Sequence, residues 1–206
     1  MTLSDYRTLG RSGLIVSPLA LGTMTFGNPS WGSPDAVSEA IYNTYLDWGG
    51  NFVDTADIYS GGRSEELVGR FIRQSASRDR IVLSTKFGFN AAAGNPHAGG
   101  NGRKNIHRAL EGSLRRLGTD YIDLYWMHVW DLVTPVEEVL ETLTDLVRQG
   151  KIRYFGFSDM PAWYAAKAGA LARDGQLLAP IAQQLYYSLA ERSIEREHLP
   201  AARDAG

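Results

Sequence analysis

Residues 106–128 read IHRALEGSLRRLGTDYIDLYWMH and hold a helix, its stop and a buried strand in one stretch. Ile106, Leu110, Ser113, Leu114 and Leu117 recur at helical spacing and form a single stripe. Gly118 follows where a helix ends, since glycine takes the left-handed backbone at little steric cost. Ile122–Trp126 is then a short apolar run of the kind a strand shows when helices cover it.

Outward from this unit the same alternation recurs. Leu19–Leu21, Phe52–Val53, Ile81–Ser84, Ile152–Phe157 and Ile181–Leu185 are further apolar runs, their starts spaced by about 30–40 residues. Val136, Val139, Leu140, Leu143 and Val147 make a second helical stripe. Thr134 is expected to cap that helix, with Pro135 at its first position and Glu137 completing a capping box. Ser33–Pro34 and Ser64–Glu65–Glu66 read as similar starts, and Gly150 as a stop. A hairpin is predicted from Tyr6–Leu9 and Leu14–Val16, joined through Gly10 and Gly13. A last helix is predicted over Ile194–Asp204.

A strand followed by a helix, six times over, predicts a parallel sheet. An open doubly wound sheet calls for a glycine-rich phosphate turn after an early strand. The segment Gly22–Gly27 reads GTMTFG, which lacks the G-x-G-x-x-G spacing. Gly94–Gly102 is rich in glycine, but it follows the third strand, lacks the G-K-[ST] ending and reads as a long loop. The α/β class expected is therefore a (β/α)8 TIM barrel. Eight units need roughly 250 residues. Residues 1–206 are expected to form one incomplete barrel domain, an N-terminal hairpin plus about six βα units, without the last two and with both sheet edges unpaired.

The 206 residues carry a formal net charge of -2, with 44% hydrophobic and 21% charged residues. That balance argues against a nucleic-acid or anionic-membrane partner. The basic face of the 103–117 helix, Arg108, Arg115 and Arg116, reads as a solvated surface. There is no cysteine, and His97, His107, His128 and His198 do not stand at ligand spacing from one another, so no metal site is expected. No apolar run nears the roughly 20 residues of a membrane span. The opening MTLSDYRTLG lacks a signal pattern, which points to a cytoplasmic location.

Catalytic groups in a barrel stand at the C-terminal ends of its strands. In order, those ends carry Asp54-Thr55-Ala56-Asp57-Ile58-Tyr59, Ser84-Thr85-Lys86, Trp126-Met127-His128, Gly156-Phe157-Ser158-Asp159, and Gln183-Gln184 with Tyr187-Ser188 beyond. Charges at the ends of apolar strands must be paired, and an Asp and a Lys there can pair with each other. A cation beside a phenol favours the phenolate, so such a phenol gives up its proton more readily. Taken singly, Asp54 reads as a turn cap, Tyr59 as packing, Lys86 as a solvated strand end and His128 as a satisfied histidine. Four such residues gathered at the ends of three neighbouring strands read as a site. Trp31, Phe89 and Trp130 follow the first, third and fourth strands, and read equally as walls of an apolar substrate pocket or as loop packing.

Five motifs in order, D-T-A-x-x-Y at Asp54–Tyr59, S-T-K at Ser84–Lys86, LGTDYIDLYWMH at Leu117–His128, GKIRYFGFS at Gly150–Ser158 and Q-x-x-Y-S at Gln184–Ser188, resemble the aldo-keto reductase family. The resemblance covers essentially the whole chain. It implies an oxidoreductase that reduces an aldehyde or ketone to an alcohol by hydride transfer from NAD(P)H. Tyr59 would be the general acid, Lys86 would ease its proton loss, Asp54 would hold Lys86, and a neutral His128 would orient the carbonyl. Thr23, Met24, Asp54, Ser158, Asp159 and Gln184 would contact the cofactor. Many members have Asn where this chain has Asp159, and an ionised Asp accepts from the carboxamide NH₂ but cannot donate to its carbonyl. NADPH is the family's usual cofactor. The segments that bind its 2′-phosphate lie beyond the sixth strand, which leaves NADH open. The natural substrate and the oligomeric state are not legible. A nicotinamide-binding regulatory subunit and an inactive reductase fragment are the alternative readings.

Overall fold

Each apolar run becomes a strand and each amphipathic stripe the helix after it. The computed structural model describes residues 1–173 and 175–206. The chain runs β1 Arg7–Thr8, β2 Ile15–Val16, β3 Leu21–Gly22, α1 Asp35–Asp47, β4 Phe52–Asp54, α2 Arg63–Ser75, β5 Val82–Phe87, α3 Arg103–Leu117, β6 Ile122–Met127, α4 Val136–Arg148, β7 Ile152–Ser158, α5 Ala162–Ala172, β8 Gln183–Gln184 and α6 His198–Ala205. β1 and β2 form the antiparallel hairpin, with Arg7 opposite Val16. The other six strands form one sheet in chain order, β3-β4-β5-β6-β7-β8, every pair parallel.

Neighbour order equal to chain order means the sheet grows in one direction, without the reversal that defines a doubly wound sheet. The sheet also curls. Gln184 Nε2 on β8 donates to Asp54 Oδ2 on β4 at 3.3 Å, whereas four strand spacings of a flat sheet would separate them by about 19 Å. The result is an arc of an incomplete (β/α)8 barrel.

Alternation sorts the strands' side chains into two cores. On the inner face Phe52, Val82, Leu124 and Trp126 pack together, and Leu9, Leu14 and Val16 of the hairpin join them. On the outer face Val53, Leu83, Phe87, Tyr125, Met127 and Phe155 meet helix residues such as Leu67, Phe71, Ile106, Leu110, Val139 and Leu143. Gly156 is required where it stands, because a Cβ there would strike the Trp126 ring and the Ala182 carbonyl. Among the described residues no helix is long and apolar enough to cross a membrane.

The expected helix punctuation holds at the stops, but none of the three expected starts is capped by a side chain: Pro34 precedes α1, Gly62 precedes α2 with Ser64 already inside the helix, and α4 departs furthest from its expected box. Gly118 ends α3 at φ 65° and Gly150 follows α4 at φ 73°. No capping box forms at α4. Pro135 precedes the first helical residue, and the Thr134 hydroxyl is spent on Asp131 Oδ2 at 2.6 Å. Glu137 pairs instead with Lys167 of α5 at 2.6 Å. The last expected helix is split into a 3-10 turn at Ser193–Glu195 and α6. Pro200 explains the late start, since proline fits an α-helix only within its first turn.

Candidate active site

Three adjacent strands deliver the charged cluster. β4 ends at Asp54, and the chain beyond stays tied to β5, with Thr55 N donating to the Ser84 carbonyl at 3.0 Å and Asp57 N to the Lys86 carbonyl at 3.2 Å. Tyr59 then opens a 3-10 turn in which Ser60 takes φ 51°. The Ser60 hydroxyl donates to the Phe26 carbonyl at 3.0 Å, which pins the turn to the loop after β3.

Lys86 is 0% exposed. Burying an ammonium costs several kcal/mol unless every donor is answered. Here Nζ donates to the Asp54 carboxylate, to the Thr55 carbonyl at 2.8 Å and to the Tyr59 hydroxyl oxygen at 3.3 Å. Asp54 is served in turn by the Ser84 hydroxyl at 2.5 Å and by Gln184. His128 follows β6, its backbone N–H held by the Phe87 carbonyl at 2.8 Å. Its ring lies edge-on to Tyr59, centroids 5.9 Å apart, with Phe89 on another side at 4.7 Å. The His128 Nδ1 is buried without a hydrogen-bond partner among the described residues.

Burial first, and then the Lys86 ammonium, push His128 down to about 4, against a smaller opposing pull from Asp54. The imidazole is therefore neutral at pH 7. In the unfolded chain it takes up a proton near pH 6.5. Between those values the unfolded state binds more protons, so this contribution to stability is complete above about pH 6.5 and is lost as pH falls toward 4. Urea midpoints of the wild type and His128→Gln measured from pH 7 to pH 4 check this: the wild type's advantage should shrink on acidification. A gap that is constant or widens would contradict a neutral ring.

The structure thus brings Asp54, Tyr59, Lys86 and His128 together. Ser158 and Gln184 face each other across the β7–β8 register, and Asp159 is exposed at φ 46° with its N–H on the Gln184 carbonyl at 3.1 Å. Met24 lies half-exposed just beyond β3. Thr23 is fully buried, its hydroxyl engaged by the Asp54 carbonyl and Ser64, each at 2.9 Å. Of the three expected pocket aromatics, Phe89 contacts His128, Trp130 packs on Trp163 and Tyr164, and Trp31 is exposed in the loop after β3.

Sequence reasoning gave no role to Ser84, although its place two residues before Lys86 puts both on the inner face. It also took Arg116 as solvated. Arg116 instead donates to the buried Glu65 at 2.6 Å, whereas Arg108 stays exposed while donating to the Ala98 carbonyl at 3.0 Å and to Asn105. Glu65 lies 51 residues before Arg116, out of reach of a local charge pattern.

The Aldo/keto reductase family model matches residues 18–206. An aryl-alcohol dehydrogenase of Pestalotiopsis microspora is 38% identical over 99% of this chain and 56% of its own length. A norsolorinic acid reductase of Aspergillus flavus is 42% identical over 99% of this chain and 55% of its own length. A protein of Phanerodontia chrysosporium named aryl-alcohol dehydrogenase [NADP(+)] is 35% identical over 91% of this chain and 52% of its own length. The chain spans about half the length of these curated relatives. With the family model covering nearly all of it and the cluster assembled at the strand ends, the chain belongs to the aldo/keto reductase family.

Proposed function

We propose that the protein reduces an aromatic aldehyde or ketone to its alcohol, with NADPH as the reductant and Tyr59 as the proton donor. One observation carries this reading: a buried ammonium, anchored by a carboxylate, spends its third donor on a phenol that stands beside a neutral imidazole. That arrangement suits delivery of a proton to a carbonyl oxygen.

The donor set at β7 and β8 fits a nicotinamide carboxamide. The Ser158 hydroxyl and the Gln184 amide can donate to its carbonyl, and the Asp159 carboxylate can accept from its NH₂. When bound, the cofactor supplies the hydride that adds to the carbonyl carbon. Tyr59 gives its O–H proton to the carbonyl oxygen, and Lys86 stabilises the phenolate left behind until solvent returns a proton. Asp54 and Ser84 keep Lys86 in place. His128, being neutral, can hydrogen-bond the carbonyl oxygen without adding a second cation beside Lys86. Charge develops on that oxygen where these donors already point, which is the main source of rate.

The phosphorylated cofactor is supported by the name of the Phanerodontia relative, an aryl-alcohol dehydrogenase [NADP(+)]. The aromatic substrate class is supported by the aryl-alcohol dehydrogenase names and by the Phe89 ring against His128. Titration of NADPH by fluorescence, followed by loss of its near-ultraviolet absorbance with para-nitrobenzaldehyde, tests both parts. Aldehyde-dependent oxidation is the expected result. Tight binding without turnover would point to a cofactor sensor, and absence of both would defeat the reading.

A further inference from the structure

The strand that sends Ser84 and Lys86 inward sends Thr85 outward, into a second buried polar cluster on the helix side of the sheet. The Thr85 hydroxyl donates to Glu65 Oε1 at 2.5 Å, and Arg116 Nε donates to Glu65 Oε2 at 2.6 Å. Glu65 is 0% exposed, and both of its carboxylate oxygens are answered. Asp57 is 4% exposed, and its Oδ1 has no hydrogen-bond partner among the described residues. The hydroxyl of the fully buried Tyr125 lacks one too.

Four ionisable groups from three elements lie within electrostatic reach of Asp57: Glu65 of α2, Arg108 and Arg116 of α3, and Tyr125 of β6. Neither guanidinium makes an ion pair with it among the described residues. Arg116 is committed to Glu65, and Arg108 to Asn105 and the Ala98 carbonyl. An ionised Asp57 would therefore be a buried anion with no ion-pair partner among the described residues, repelled by Glu65 and favoured only by the Ile58 N–H and the field of the two guanidinium groups. Two neighbouring carboxyl groups do not both ionise readily, and Glu65 has both oxygens answered whereas Asp57 Oδ1 has no partner among the described residues.

We propose that Asp57 is a positioning residue that stays protonated on the acid side of neutrality, and that this uncharged carboxyl holds the turn placing Tyr59 against Lys86. The backbone makes the link. Asp57 N donates to the Lys86 carbonyl, and Tyr59 N donates to the Ala56 carbonyl, each at 3.2 Å, so displacement of Asp57 displaces both ends of the Lys86–Tyr59 contact.

Burial, and after it Glu65, push Asp57 up to about 7 against the pull of Arg116 and Arg108. The unfolded chain gives up this proton near its ordinary value of 3.8. The folded state thus binds the extra proton between the two values. The stabilisation is complete below about pH 4 and is lost as pH rises through about 7.

Thermal midpoints of the wild-type chain, Asp57→Asn and Asp57→Ala across about pH 5–9 test the proposal. The wild-type midpoint is expected to fall by several degrees between about pH 6 and pH 8. The Asn variant, which keeps a neutral group of the same shape, should show no such fall and should match or exceed the wild type at the alkaline end. The Ala variant should be lowered throughout. Amide exchange of residues 55–59, corrected for its intrinsic rate, should rise over the same interval in the wild type and not in Asp57→Asn. An infrared band of a protonated carboxyl should be present in the wild type near pH 6 and missing from the Asn variant. Parallel midpoint curves for wild type and Asn, or absence of that band, would overturn the proposal. These readouts need no turnover, so they fail or succeed separately from the reaction proposed above.

Discussion

Lys86→Met is expected to lower folding stability by about 3–5 kcal/mol, the range seen when one partner of a buried ion pair is removed. In a domain of this size that corresponds to a melting midpoint lower by roughly 6–20 °C. Lys86 is wholly enclosed, and its three donors meet Asp54, the Thr55 carbonyl and the Tyr59 hydroxyl. Methionine fills much of the same space but answers none of these acceptors. The Asp54 carboxylate would keep only the Ser84 hydroxyl and the Gln184 amide. The double variant Asp54→Asn/Lys86→Met should therefore be more stable than Lys86→Met alone, because the unpaired charge is gone. Differential scanning calorimetry of the three proteins measures both effects. A single variant as stable as the wild type would show that the pair is not what holds this rim together.

Tyr59→Phe is expected to do the reverse, leaving the fold intact and removing turnover. The ring is half-buried, and its hydroxyl accepts one long bond from Lys86. Loss of that bond costs little stability, since Lys86 retains Asp54 and Thr55. Without the hydroxyl the proton donor proposed for the carbonyl oxygen is gone, and kcat for an aromatic aldehyde should drop by about 10²–10⁴, the usual contribution of a general acid. NADPH affinity should be unchanged, because the variant alters no group assigned to the carboxamide. Retention of more than about a tenth of the turnover would remove Tyr59 from the role of acid.

The sequence and the structure agree where information is local. Apolar runs such as Ile122–Trp126 and stripes such as Ile106–Leu117 mark elements because burial of one face is written into spacing. Asp54, Lys86 and His128 were legible as candidates for the same reason, each standing where an apolar run stops, whereas Tyr59 lies five residues beyond its strand in a 3-10 turn. What stayed hidden depends on partners far along the chain. Nothing near Arg116 announces Glu65, 51 residues away. Nothing near Gln184 announces Asp54, 130 residues away, yet that contact shows how far the sheet curls. Thr134 satisfied a local capping rule, but the helix begins one residue later than that rule expects, with Pro135 at the cap position and the Thr134 hydroxyl donating to Asp131.

β5 also sets how the gene can change without ruin. Ser84 and Lys86 serve one side of the sheet while Thr85, between them, serves the other through Glu65. A substitution at Ser84 or Thr85 removes that hydroxyl's bond to a carboxylate, and one at Lys86 removes three bonds at once. Loss or gain of a single codon just upstream would turn the strand over, burying Thr85 among the reacting groups and aiming Lys86 at the helices. Length variation should therefore be tolerated in the long loop before Arg103 and purged from the short span between Ile81 and Phe87.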